Sequence, residues 1–466
     1  MKNIDFLTIE AFINENIDFL IGARVQKIQQ PTRRDFLLSL RNCGESRKLY
    51  ININPNIYHI TFASGENLLR RGIVIPKQPP MFCMLLRKYL EGVKISDVLA
   101  VKGERIIEFH FDIIDELSQN RSICLAIELM GKHSNIILYD RENYTIIGCA
   151  HNVGPEKSRY RELQGGLKYV YPPKGVNDVN LVTVPNFKAS EIDSYFASLQ
   201  ENINLKNEKE KLVKTVNSDL KKVNSSAEKI SLLLKKRDKC EKYKLYGELL
   251  TANLYQKKDY SKEIDVFDYV NNQNITIELD DTKTLNENAQ KYYKLYTKAK
   301  NTRDNASKML EELNMKKEYC EGLLYSINTA QNLESLKEIK EELGLDKENP
   351  KKKDKTEIEK REINGFEVYI GKNNKQNDYI ISKLAKEEDY WFHTRLCAGS
   401  HILLKVKDKE PDEETVFECC KLAREFSSAK QPSKVGVIYT RRKYLKKPPS
   451  APLGYVTYKN EKEILV

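Results

Sequence analysis

The sequence predicts a multidomain α+β protein, an expectation that rests on three observations. At 466 residues the chain is too long for one ordinary hydrophobic core, and two to four cores are the natural prior. Both ends carry short runs in which apolar and polar residues alternate with the period of half-buried strands. The middle instead carries narrow apolar stripes at three-four spacing in a highly charged background, the pattern of a coiled-coil seam.

Residues 1–174 read as a mixed α/β domain. Ile107, Phe109, Phe111 and Ile113 alternate with Glu108, His110 and Asp112 as in a half-buried strand. Residues 135–147 read as a hairpin around Asp140-Arg141-Glu142-Asn143. Phe82, Leu85, Leu86, Tyr89 and Leu90 recur at helical spacing and leave Arg87 and Lys88 on the other face. Tyr171-Pro172-Pro173 closes the domain, because consecutive prolines end regular structure.

After a short connection over 175–200, residues 201–340 change character. Leu212, Val216, Val223, Ala227, Ile230 and Leu234 form one stripe. Ala299, Thr302, Ala306, Met309, Leu313, Cys320, Leu324 and Ile327 form a second. Two segments of similar length around an insert at about 251–286 predict a long antiparallel two-helix coiled coil carrying a small middle insert. Pairing between chains through one of the helices is the alternative. About 45 residues per helix would reach roughly 65 Å at 1.5 Å per residue.

Residues 341–362 read as a charged linker, since 345–362 is nearly devoid of apolar side chains. Residues 363–466 form a further small α/β unit. Its strand-like runs are 366–370, 390–394, 401–406, 435–440, 454–458 and 463–466. One helix starts at Pro411, with Asp412, Glu413 and Glu414 favouring its first turn. Its apolar face runs through Val416, Cys419, Cys420, Ala423 and Phe426.

Apolar residues make up 40% of the chain, enough for real cores, while 31% are charged, which adds long solvated helices. The excess of 78 basic over 67 acidic residues gives +11, a balance that suits a polyanionic partner or an ordinary lysine-rich surface. Nine cysteines, odd in number and without a C-x-x-C pair, read as reduced buried thiols in a cytoplasmic protein; neither a disulfide framework nor a zinc site is expected. The N-terminal residues lack a long apolar run, so no signal peptide is expected. No stretch of roughly 18 apolar residues marks a membrane span.

The chain has no P-loop, G-x-G-x-x-G, H-E-x-x-H or G-x-S-x-G motif, so no catalytic constellation, cofactor or metal is expected and the protein reads as a non-enzyme. His393 and His401 bracket one turn, but Cys397 as third ligand makes an irregular metal set. Polar turns stand out more. Gly371 to Asp378, with Lys372, Asn373 and Asn374, offers backbone N–H groups, amides and lysines to a phosphate or base; a plain solvated turn is the bland reading. Trp391, the only tryptophan, lies among Asp389, His393 and Arg395 and before Gly399-Ser400-His401. It suits either stacking on a base or a place in the core. Arg441, Arg442, Lys443, Lys446 and Lys447 form a basic run with no acid among them, a match for a phosphate backbone.

At these motifs a family resemblance emerges. The runs 366–378 (FEVYIGKNNKQND), 389–393 (DYWFH) and 399–401 (GSH) resemble the RNA-binding domain of the NFACT family. The runs 80–88 (PMFCMLLRK) and 128–135 (ELMGKHSN) resemble its N-terminal domain. The runs 247–255 (GELLTANLY) and 288–293 (NAQKYY) resemble its coiled-coil and middle region. The motifs fall in family order over nearly the whole chain. The family includes bacterial ribosome quality-control factors, often labelled fibronectin-binding proteins. The resemblance implies binding to a large ribosomal subunit (rRNA) obstructed by peptidyl-tRNA, and recruitment of alanine tRNA for C-terminal tailing of the stalled chain. The ribosome would make the peptide bonds.

By that resemblance the tRNA-binding residues are Asp5, Glu104 and Arg105 at the N-terminal end. At the C-terminal end they are Asp389, Trp391, His393, Gly399, Ser400 and His401, joined by the turn residues Lys372, Asn373 and Asn374 and by Arg441 and Arg442. Three departures stand out. The family's Asp-Arg pair falls at Glu104-Arg105, its Pro-Gly-Ser-His reads Ala398-Gly399-Ser400-His401, and the helix-hairpin-helix module expected after the N-terminal domain is missing. Two rival readings remain: a degenerate member that binds ribosomes without tailing, and a fibronectin-binding adhesin. Base excision of DNA is rejected, because residue 2 is Lys2 rather than proline and no zinc finger follows.

Overall fold

The structure, a computed structural model, describes residues 2–114, 119–173, 184–235, 238–256, 258–269, 271–345, 358–407, 409–429, 434–449 and 451–466. The chain divides into two units, Met1–Asn204 and Leu205–Val466. Both contain helices and antiparallel sheets, the α+β class expected.

The first unit opens with α1 (Phe6–Leu20), whose buried face is Ile9, Phe12, Ile13, Phe19 and Leu20. Strands β1 (Arg24–Gln29), β2 (Asp35–Asn42), β3 (Glu45–Asn52) and β4 (His59–Phe62) then form an antiparallel meander in chain order. Its β2–β3 turn is tight because Cys43 and Gly44 both take positive φ, 48° and 84°. Helices α2 (Gly65–Arg70) and α3 (Met81–Leu90) lead to a second meander of β5 (Ile95–Ala100), β6 (Ile106–Ile114), β7 (Asn120–Glu128), β8 (Asn135–Asp140) and β9 (Ile146–Cys149). Backbone bonds Ile95 N–H to Ala23 O and Val25 N–H to Val93 O stitch the sheets together. Ile107, Phe109 and Phe111 join Ile9, Phe12 and Leu20 in the main core.

The expected half-buried strand is corrected here. Glu108 and His110, on its supposedly solvated face, are 6% and 3% exposed. The segment following β9 folds back over that face, where Cys124, Ala126, Ile137, Tyr139, Leu163 and Tyr169 form a second small core.

Helix α4 (Ala189–Lys235) begins earlier than the seam pattern indicates. Its first turns carry Ile192 and Phe196 into the main core, so they lack a narrow stripe. Asp193 binds Arg71 at 2.7 Å and also accepts Ser64 N–H and the Asn67 amide.

In the second unit α4 continues, followed by α5 (Asp238–Ala252), the hairpin β10 (Glu263–Asp268) and β11 (Gln273–Glu278), and α6 (Leu285–Thr329). Leu212 and Val216 cluster with Cys320, Leu323 and Ile327, and Gly247 lies under the Tyr293 ring. As residue numbers rise from α4 to α5 they fall along α6, so the pairing is antiparallel and within the chain. Thr284 and Glu287 form a capping box at the start of α6. Leu249, Leu250, Ile264, Val266, Ile277, Leu285 and Ala289 make the small core of the insert. Helix α7 (Leu333–Glu342) packs Leu336 and Ile339 onto the base of the coiled coil.

A six-stranded antiparallel sheet follows, in the order β12-β13-β15-β14-β16-β19. The strands are β12 (Glu359–Ile363), β13 (Phe366–Ile370), β14 (Tyr390–Thr394), β15 (Ile402–Leu404), β16 (Gly436–Arg441) and β19 (Lys462–Leu465). A short ladder joins β17 (Leu445–Lys446) to β18 (Thr457–Tyr458). Helix α8 (Asn374–Tyr379), with a π-helical turn at Ile380–Leu384, covers one face, and α9 (Glu413–Glu425) covers the other. Here the linker reading is corrected at its end: residues 359–363 are an edge strand, although 346–357 lie outside the described residues. The charges of β12 are those of an edge, with Arg361 on Glu359 at 2.7 Å and Lys360 on Glu367 at 3.1 Å.

Candidate nucleic-acid interface

In the first unit, Glu104 and Arg105 occupy the turn entering β6, closed by Glu104 N–H to Val101 O at 2.9 Å. The Arg105 guanidinium lies 5.5 Å from the centroid of the Tyr58 ring and donates to Tyr58 Oη at 2.8 Å. That aromatic seat fixes the head of a long side chain that stays partly exposed. The neighbouring turn approaches the same ring. A Cβ at Gly131 (φ 63°) would stand 3.8 Å from the Tyr58 ring and 3.7 Å from Pro55 O, and the next residues, Lys132 and His133, are exposed.

A second group of cations stands around His151, whose backbone is held by Asn135 through bonds of 2.8 and 3.0 Å. Burial, then Arg34, Arg33 and Lys157, hold the His151 imidazole below its usual pKa. Arg33, Arg34 and Lys157 are exposed. Sequence reasoning missed these residues. Lys132 and His133 sat inside a quoted motif without being assigned a role, and Arg33-Arg34 is too short a run to stand out.

Asp5 has a different task. Its Oδ1 accepts Thr8 N–H at 2.7 Å, capping α1, and its Oδ2 accepts Asn186 N–H at 3.0 Å. Both oxygens hold backbone in this structure.

The C-terminal candidates are largely interior. Trp391 is 1% exposed and packs with Ile380, Ile381, Leu403, Ile438 and Leu445, so it cannot stack on a base in this conformation. Asp389 is fully buried; its carboxylate accepts Lys405 Nζ at 2.6 Å, Lys386 N–H at 2.8 Å and Val406 N–H at 2.9 Å. Half-buried His393 stacks on the Trp391 ring at 5.7 Å, and buried His401 meets both rings edge-on at 5.2 Å. Burial lowers the pKa of His393 to about 4 and that of His401 well below its usual value. Trp391 Nε1 and His401 Nδ1 have no partner among the described residues, the kind of position an ordered water fills. Ser400 N–H donates to Phe426 O, and a Cβ at Gly399 would meet Ser427, Thr394 and Phe426 within 3.0–3.2 Å.

The polar turn and the basic run are likewise engaged within the protein. Asn373 caps α8 and donates to Glu338 at 2.7 Å, and Asn374 donates to Glu342 at 3.2 Å, both on α7. Lys372 pairs with Glu359 at 2.6 Å. Arg441 is held by Glu388 and Glu410 over the Tyr390 ring, Lys443 by Glu388, and Lys447 by Asp378. Arg442 donates to the carbonyls of Ile381 and Leu445. These acids lie far off in sequence, which is why the run looked uncompensated. What the β14–β15 loop does offer to solvent is Leu396, 98% exposed with φ 62°.

The N-terminal sheets, the helical hairpin and the six-stranded domain together define a multidomain α+β fold. Residues 5–192 and 180–361 match the NFACT N-terminal and middle domains, and residues 358–460 match the NFACT protein RNA binding domain. The chain belongs to the NFACT family. It is 29% identical to Rqc2 homolog RqcH of Bacillus subtilis (strain 168), with 97% of this chain and 95% of that protein covered. It is 27% identical to Rqc2 homolog RqcH of Streptococcus pneumoniae, over 100% and 98%. Among solved structures, the C-terminal part of the fibronectin/fibrinogen-binding protein from Streptococcus suis is 27% identical, covering 56% of this chain and 94% of that one, with a TM-score of 0.44. Among the described residues no helix is long and apolar enough to cross a membrane.

Proposed function

We propose that the chain is a ribosome quality-control factor that binds an obstructed large ribosomal subunit carrying peptidyl-tRNA. There it would recruit tRNA, alanine tRNA by the family resemblance, for C-terminal tailing of the stalled chain. The observation that carries the reading is the pair of cations at one end of the first unit: Arg105 seated on Tyr58, with exposed Lys132 on the adjoining turn. Fixed and exposed cations of this kind suit a phosphate backbone, and Arg105 reaches it at low entropic cost because its head is already positioned. The matches to RqcH proteins over almost their whole length support the same reading. The chain then holds RNA while the ribosome performs the chemistry, and it is not itself an enzyme.

A tRNA-binding titration across salt concentrations tests this. Arg105→Ala is expected to weaken tRNA binding and to reduce the slope of log affinity against log salt by about 1, one phosphate contact. An unchanged affinity and slope would remove Arg105 from the interface. A second reading, ribosome binding without tailing, draws on Glu104 in place of the family's aspartate, whose extra methylene displaces the carboxylate beside Arg105. A stalled reporter lacking C-terminal tails in cells that contain the factor would favour it.

A further inference from the structure

The second core of the first unit contains a group of side chains that RNA binding does not use. The antiparallel register of β6 and β7 places His110 opposite Cys124, and Glu108 opposite Ala126, on the same sheet face. Glu108, His110 and Cys124 are 6%, 3% and 0% exposed, and one ligand-type atom from each lies within 4.8 Å of the others. His110 Nε2 stands 3.6 Å from Glu108 Oε2, too far for a good hydrogen bond. A tetrahedral zinc ion with bonds of about 2.0–2.3 Å spaces its ligand atoms roughly 3.3–3.7 Å apart.

Comparison with Glu128 on the same face sharpens the point. That buried carboxylate is clasped by the Arg161 guanidinium through bonds of 2.7 and 2.5 Å and also receives Tyr169 Oη–H at 2.9 Å. Glu108 receives hydroxyl bonds from Tyr139 at 3.0 Å and Tyr171 at 2.6 Å, both on Oε1. No lysine or arginine forms an ion pair with it among the described residues. Its Oε2 faces His110. Buried carboxylates are stable when paired with a cation or bound to a metal. On the other side of the ring, His110 Nδ1 is buried without a hydrogen-bond partner, with Asp97 Oδ2 at 3.8 Å. A carboxylate on the outer nitrogen of a ligating histidine is a recurrent way of fixing its tautomer.

We propose that Glu108, His110 and Cys124 bind a divalent zinc-class ion, with Asp97 orienting the histidine. Carboxylate, imidazole and thiolate together match a borderline-soft ion and do not suit calcium or magnesium, which take oxygen ligands. Binding displaces the thiol proton and supplies the positive charge that Glu108 lacks. The ion joins β6 to β7 beneath the segment that follows β9 through three protein ligands. The absence of a C-x-x-C pair leads sequence reasoning to expect no zinc site, because these ligands come together through strand register and not through local spacing.

The test uses the full chain with the surface thiols Cys43 and Cys397 replaced by serine, made in cells supplied with cobalt, which is incorporated as the protein folds. After desalting, the expected result is a single retained cobalt ion per chain with a thiolate-to-cobalt absorption band. Cys124→Ser should abolish the band, whereas Cys149→Ser, a buried thiol outside the cluster, should leave it intact. If Cys124→Ser fails to fold by circular dichroism, His110→Gln takes its place, with lost or altered cobalt bands expected. A desalted parent protein with no bound cobalt and no thiolate band would overturn the proposal. A band that survives Cys124→Ser or His110→Gln would overturn it equally.

Discussion

At the residue scale, several residues of the family signature lie in the interior. Asp389, Trp391, Ser400 and His401 are buried. Sequence alone names them because their chemistry is unusual, yet cannot tell a stacking tryptophan from a core one; only the packing of Ile380, Leu403 and Ile438 around the ring decides. Trp391→Ala should therefore destabilise the domain by about 3–5 kcal/mol, as for large aromatic truncations in cores, and be read by denaturant midpoint. A variant that keeps its stability but loses RNA would return Trp391 to the interface. The histidines make a pH prediction. His393 is depressed to about 4 and His59 to about 3, both by burial first, with Arg71 also acting on His59. Depressed folded-state values mean that the neutral rings favour the fold above about 6.5, the unfolded value, and that this contribution falls away as pH drops toward those folded values. Thermal midpoints should decline between about pH 6.5 and 4, and His393→Asn should flatten the slope.

At the element scale, periodicity located β6, β8, β9, most strands of the six-stranded sheet and both arms of the coiled coil, because the seams Leu212–Val216 and Cys320–Ile327 are local patterns, but it named none of β1–β5. It failed where a second layer decides burial. β6 read as one-sided because nothing local announces that residues after β9 return to cover Glu108 and His110. β12 read as linker because Glu359, Lys360, Arg361 and Glu362 are charged, yet an edge strand tolerates such a run. The early start of α4 was hidden in the same way, since Ile192 and Phe196 serve a globular core. Its anchor can be tested. Arg71 has a side chain only 1% exposed, so Asp193→Ala leaves a buried cation with no carboxylate and should cost about 3–5 kcal/mol of stability in the first unit. An unchanged unfolding midpoint would show that the N-terminal turns of α4 are not held through this pair.

At the scale of the whole molecule, each unit carries its candidate residues on its own scaffold. The first builds two stitched sheets whose turns bring Arg105 and Gly131, the residue before exposed Lys132, to the Tyr58 ring. The second builds a helical hairpin with a small capped insert, and a six-stranded domain whose signature residues secure its own interior. Net charge of +11 concentrates function poorly by itself, because much of the C-terminal basic run is neutralised by Glu388, Glu410 and Asp378. Under the proposed function, exposed cations of the first unit such as Arg33, Arg34, Lys132 and Lys157 meet the polyanion. The most direct measurement is to purify the tagged protein gently from its own cells and sequence the RNA that comes with it. Large-subunit rRNA together with one enriched tRNA, lost on Arg105→Ala but with the fold intact, is the predicted result. Recovery of no RNA from the wild-type protein would contradict the proposed function outright.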